Sequence, residues 1–268
     1  MEMPDLQTVT SDKNVDRFAK VGYAARAVVY GLIGIFAAMI ALGKDGALTD
    51  NRGALRELMA QPFGTTLLII VAIGLLGYAV WRVLQAIRDY DHRGNDAKGL
   101  AVRAGYFFGG IAHAFLAYSA INLIFRLSRE SKQSQDSAVA TWLLDKPFGQ
   151  ILVGIVALSI SAFGIGQIYI ALKEKFTRGL DIPADKQQWL YAVCKFGLIS
   201  RGIMFGIVGW LFMRAALTAN ASQAQGVRGA WRFLAGQPFG NMLVAIIAFG
   251  FMAFAVYGFT ESRYRRTV

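Results

Sequence analysis

The chain predicts an all-α integral membrane bundle: six transmembrane helices built as three tandem helix-pair repeats in a pseudo-threefold arrangement. Three observations predict it. Of 268 residues, 55% are apolar and 17% charged, a usage far from that of soluble domains. Six uncharged apolar runs approach the ~20 residues that cross a hydrocarbon layer as helix. Finally, Gln61-Pro62-Phe63-Gly64 returns as Lys146-Pro147-Phe148-Gly149 and as Gln237-Pro238-Phe239-Gly240, so three of the five prolines occupy one repeated position. These prolines stand 85 and 91 residues apart, which sets the repeat period.

Residues 1–16 form a polar cytoplasmic tail with Glu2, Asp5, Asp12 and Asp16, and they lack the basic-then-apolar layout of a cleavable signal. The first apolar run is therefore expected to serve as an uncleaved anchor. Repeat 1 spans residues 17–97. Its first membrane run, 27–42, reaches normal length when Arg26 is taken inside it. Leu55, Leu58 and Met59 follow at the i, i+3, i+4 spacing of one helical face, the pattern of a short helix lying in the interface. Pro62 breaks that helix and suits the first turn of the next, because its ring fixes φ and a first-turn N–H has no intrahelical partner. The second run, 63–81, carries Gly74 and Gly77 for close helix packing and then Tyr78 and Trp81 for the interfacial belt.

Repeat 2, residues 98–187, has runs at 104–125 and 148–172, a short apolar face of Val139, Trp142 and Leu143, small residues Ser159 and Ala162, and rings Phe163 and Tyr169. Repeat 3, residues 188–268, has runs at 202–213, lengthened by Arg201, and 239–260. Its matching positions are Trp231, Leu234 and Ala235, then Gly250 and Ala253, then Phe254 and Tyr257, before a basic tail. The pairs Pro62 and Gly64, Pro147 and Gly149, and Pro238 and Gly240 are the structural marks of the three copies. Two spans per unit send every copy into the membrane the same way up.

Lysine and arginine in the short loops set orientation. One side receives eighteen of them and the other ten, including Lys44, Arg126, Arg129 and Lys132. Both termini are then expected in the cytoplasm of a bacterial inner membrane, with the three proline motifs outside. The net charge of +11 is spread over loops between apolar runs, not gathered on one polar face, so it points to anionic lipid headgroups at the cytoplasmic face and away from nucleic acid.

The helix Arg26-Ala-Val-Val-Tyr30-Gly31, the proline return and the ending Gly77-Tyr-Ala-Val-Trp-Arg82 resemble the bacterial membrane proteins grouped as domain of unknown function 1206. The likeness runs from about residue 17 to 263 and implies the three tandem units. Its motifs are structural, so it supplies no mechanism. The middle unit departs from the pattern, with Gly109 in the arginine position and His113 in the tyrosine position.

The candidate functional stripe lies on the first helix of each unit: Gly22, Arg26, Tyr30; Gly105, Gly109, His113; Gly197, Arg201, Phe205. Four-residue steps keep each triplet on one face. Meeting at the axis, Arg26, Tyr30, His113 and Arg201 would line a passage suited to an anion. The structural reading of the same residues has the arginines snorkelling to headgroups or pairing with Glu261. His113 is read either as a proton relay or as an imidazole bonded to a neighbouring helix. Cys194 is the single cysteine, and neither metal-ligand spacing nor a catalytic constellation is found, so no metal, cofactor or enzymatic activity is expected. Two functions are left: a non-catalytic membrane scaffold or assembly partner, with a protein partner or a second copy of the chain, and a channel or carrier for a small anion or neutral solute.

Overall fold

The computed structural model describes residues 6–44, 48–91, 93–125 and 135–265. His92 in the first linker, Arg126, Arg129 and Lys132 in the loop after the third span, and Arg266 lie outside the described residues. Among the described residues nine α-helices follow one another: α1 (Leu6–Ala41), α2 (Asn51–Met59), α3 (Gly64–Arg88), α4 (Ala97–Phe125), α5 (Gln135–Leu144), α6 (Gly149–Leu172), α7 (Ala184–Thr218), α8 (Val227–Ala235) and α9 (Gly240–Tyr264). Six of them, α1, α3, α4, α6, α7 and α9, are long and apolar enough to cross a membrane, with both Arg26 and Arg201 inside their spans. The chain is a multi-pass membrane protein. The polar tail is helical from Leu6, continuous with α1, and the apolar stretch begins at Ala19.

The proline motif is a reverse turn and not a helix start. Gly64 N–H donates to the Gln61 carbonyl at 2.8 Å and Gly149 N–H to the Lys146 carbonyl at 2.9 Å, so each proline occupies the second turn position and the helix opens two residues later. The third turn position falls on Phe63, Phe148 and Phe239, all left-handed with φ of 59°, 61° and 60°. That conformation costs an L-residue on the order of 1–2 kcal/mol. The glycine after each phenylalanine has a steric cause: a Cβ there would run into the carbonyl oxygen of Met59, Leu144 or Ala235 at the end of the short helix.

Packing runs in the order α4, α3, α1, α9, α7, α6, each helix against the next. The first and last repeats therefore meet along α1 and α9. Within repeats 1 and 3 the two long helices also pack on each other, and glycine makes this possible: Gly22 lies against the backbone of Tyr78, and Gly197 against that of Phe254. Threefold equivalence would treat the middle repeat alike. It does not, because α4 and α6 are not packing neighbours, and Gly105, the counterpart of Gly22 and Gly197, has nothing within 4 Å of its Cβ position. Only 22% of the apolar stretch of α4 and 17% of that of α6 are buried, against 50% for α1, α3 and α9. The bundle is thus an arc with a seam between its two ends.

Two expectations need correction for the same reason, that protein covers what lipid was expected to cover. Tyr78, Trp81 and Phe254 are buried in place of forming a belt, and the Trp81 indole N–H donates to Tyr23 Oη at 3.0 Å. The apolar faces of α2 and α8 likewise close onto the bundle through Leu55 and Trp231. In the middle repeat, Phe163, Tyr169, Val139 and Trp142 stay exposed as the sequence suggests.

Candidate functional site

The inner faces of the first helices carry the stripe read from the sequence. Arg26, on α1, is 4% exposed and ion-paired through Nη2 with Glu261 on α9, while its Nη1 donates to Tyr78 Oη on α3. Of the two arginines, Arg26 is the one that pairs with Glu261. The second carboxylate oxygen of Glu261 accepts from Arg265 at 2.8 Å, and Arg265 reaches Asp91 at 3.3 Å. Asp91 in turn accepts from Tyr106 Oη of α4 at 2.7 Å and from Gln85 Nε2 of α3 at 3.3 Å. One ionic chain thereby ties α1, α3, α4 and α9 at the end of the bundle that holds both termini. Burial pushes the Asp91 carboxyl up, but Arg265, the Tyr106 hydroxyl, Arg93 and Arg82 together hold it below its ordinary value.

Arg201, on α7, is 8% exposed and has neutral partners: Nε donates to Tyr30 Oη at 3.3 Å and Nη1 to Gln167 Oε1 of α6 at 3.0 Å. The rings of Phe254, Phe163, Phe205 and Tyr30 stand 4.7, 5.0, 5.0 and 5.3 Å from its guanidinium carbon. Among the described residues no carboxylate pairs with it. Tyr30 itself is buried against Phe251 and Phe254.

His113, on α4, donates from Nδ1 to the Gly109 carbonyl at 2.7 Å, and its ring meets Tyr78 edge-on at 4.5 Å. A carbonyl can only accept, so Nδ1 carries the hydrogen, and in the neutral ring Nε2 offers a lone pair. That nitrogen is buried without a partner. Tyr78 links this ring to Arg26, and Phe254 stands 5.2 and 4.7 Å from the guanidinium carbons of Arg26 and Arg201. The four stripe residues are therefore gathered on the inside of the arc.

The repeats reveal a rule of placement. Arg26 sits between the second-helix rings Phe254 and Tyr78, of the last and first units, and Arg201 sits between Phe163 and Phe254, of the middle and last. The third place by this rule lies between Tyr78 and Phe163. Gly109 leaves it vacant, with nothing within 4 Å of its Cβ position.

Sequence reasoning missed Arg82, whose Nε donates to Tyr78 Oη at 2.7 Å, and Gln167 as the partner of Arg201. A signal existed for the first, since Tyr78 and Arg82 are four residues apart on one helix face. Among the described residues, no group of three or more His, Cys, Asp and Glu side chains comes together as a metal site. The arrangement can pair charges and hold helices, and among the described residues Arg201, like Arg82, is held by neutral partners.

A family described as Domain of Unknown Function (DUF1206) matches residues 21–89, 104–174 and 196–265, one match for each repeat. The chain is also 31% identical over 254 residues to an uncharacterized protein, YxxB, of Bacillus subtilis (strain 168), covering 94% of this chain and 91% of that one. No solved structure matches.

Proposed function

The chain belongs to the DUF1206 family, and from that premise we propose that it is a non-catalytic membrane scaffold or assembly partner. It sits in the bacterial inner membrane with both termini in the cytoplasm, where its excess of lysine and arginine meets anionic headgroups and a partner protein or a second copy of itself. The observation that carries this reading is the Arg26–Glu261 pair. An arginine lining an anion path must keep donors exposed to the passing ion, whereas Arg26 is buried with Nη2 on Glu261 and Nη1 on Tyr78, holding α1, α3 and α9 together. Flux in proteoliposomes tests it: chloride, nitrate and a neutral solute should leak no faster than from protein-free vesicles.

A second reading, a channel or carrier for a small anion or neutral solute, is favoured by one observation, that among the described residues the partners of Arg201 are the neutral Tyr30 and Gln167. A protein-dependent anion flux abolished by Arg201→Ala would establish it and overturn the scaffold.

A further inference from the structure

A guanidinium in a membrane span is ordinarily paired, because hydrocarbon solvates charge poorly. Arg26 obeys this rule through Glu261, and Arg201 does not. Among the described residues its Nη2 has no hydrogen-bond partner, and the rings around it supply attraction but no negative charge. Across the seam from Gln167 and Phe163 stands α4, where Gly109 leaves a place empty and His113 Nε2 is an unmet acceptor. An anion and a hydrogen-bond donor are thus both called for on the same inner face.

We propose that this seam holds the headgroup of one phospholipid, its phosphodiester on Arg201 and an O–H or N–H of the headgroup alcohol or amine on His113 Nε2. Three features favour a lipid over a free anion. The seam opens sideways between α4 and α6, whose apolar surfaces are mostly uncovered by protein. Arg201 follows Lys195 by six residues on α7, about 9 Å along the axis, within the depth at which a long basic side chain reaches phosphate. The outer faces of α4 and α6, with exposed groups such as Phe108 and Ile165, give the acyl chains a surface to follow. The donor requirement selects a glycerol or ethanolamine headgroup over choline, which has neither O–H nor N–H.

The purified full chain, incubated in detergent with equal amounts of phosphatidylglycerol, phosphatidylethanolamine and phosphatidylcholine, would be weighed by native mass spectrometry. One lipid per chain is expected, with the glycerol and ethanolamine forms favoured over choline by about tenfold, the scale of one hydrogen bond in a dry site. Arg201→Gln should lose the retained lipid, and His113→Leu should keep a lipid but lose the preference. A Cβ at Gly109 meets nothing within 4 Å, so Gly109→Leu should lose the lipid with little change in melting temperature, which keeps the test open should Arg201→Gln fail to fold. Equal retention of choline lipid, or retention by Arg201→Gln or Gly109→Leu, would overturn the proposal. So would inorganic phosphate raising the melting temperature of the delipidated chain as much as lipid does, the mark of a free-anion site. The scaffold reading stands or falls on flux and is unaffected by any of these outcomes.

Discussion

Gly22 on α1 lies against the backbone of Tyr78 on α3, so close that a Cβ at Gly22 would overlap the Tyr78 main chain. The same contact joins Gly197 to Phe254, and nothing answers it at Gly105. Substitution should expose the difference. Gly22→Ala forces two helices apart and is expected to cost about 1–3 kcal/mol. Gly105→Ala meets open space and gains helix propensity, so it should be neutral or stabilising by up to ~1 kcal/mol. Unfolding of both variants in detergent, followed by circular dichroism, checks the contrast. Equal losses at the two positions would contradict the open seam.

Removing one member of the Arg26–Glu261 pair leaves a buried charge without its partner. Glu261→Gln is expected to cost about 3–5 kcal/mol, and the double change Arg26→Met with Glu261→Met should recover much of that loss, because no stranded charge is left. The recovery, read as a coupling in a double-mutant cycle, separates an ion pair from simple packing.

The Asp91 carboxyl is held below its ordinary value of 3.8 in the folded chain. Its contribution is therefore fully present above pH 3.8 and is lost as the pH falls through the lower folded value. Asp91→Asn should be less stable than the parent by about 1–3 kcal/mol at pH 7, with hydrogen bonds from Arg265 and Tyr106 weakened. The gap between the two should close in acid, below pH 3.8. A stability difference that stays constant down to pH 2 would contradict the assignment.

Gly64 stands where a Cβ would strike the Met59 carbonyl. Gly64→Ala should cost at least about 2 kcal/mol by opening the turn between α2 and α3. Phe63 before it is left-handed and 84% exposed. Phe63→Gly should therefore stabilise the turn in detergent by about 1 kcal/mol, since a conformational penalty is removed and little packing is lost. Thermal unfolding of the pair checks both signs.

Six spans, three short helices and the three breaks at the prolines were legible in the sequence because each is written in local terms: apolar length, helical spacing, and a proline; that each break is a reverse turn with the helix opening at the glycine was not. Four-residue spacing put Arg26 and Tyr30 on one face of their helix, and Tyr30 accepts from Arg201 of the third repeat. What local terms could not carry was partnership. Arg26 and Glu261 are 235 residues apart, and nothing in the spelling chooses between Arg26 and Arg201 as the partner of the glutamate. Gly105 is the same letter as Gly22 and Gly197, so the missing contact in the middle repeat leaves no trace until helices are placed. Tyr78 and Trp81 read as interfacial rings because an amphipathic ring suits either a wet boundary or a satisfied interior, and tertiary packing decided for the interior.

The side-by-side placement of α1 and α9 has a consequence for biosynthesis. The span that leaves the ribosome first finds its neighbour when the last one is made, so a nascent chain carries Arg26 into the bilayer with its counter-charge still untranslated. Any truncation upstream of Glu261 would leave that cation without its carboxylate.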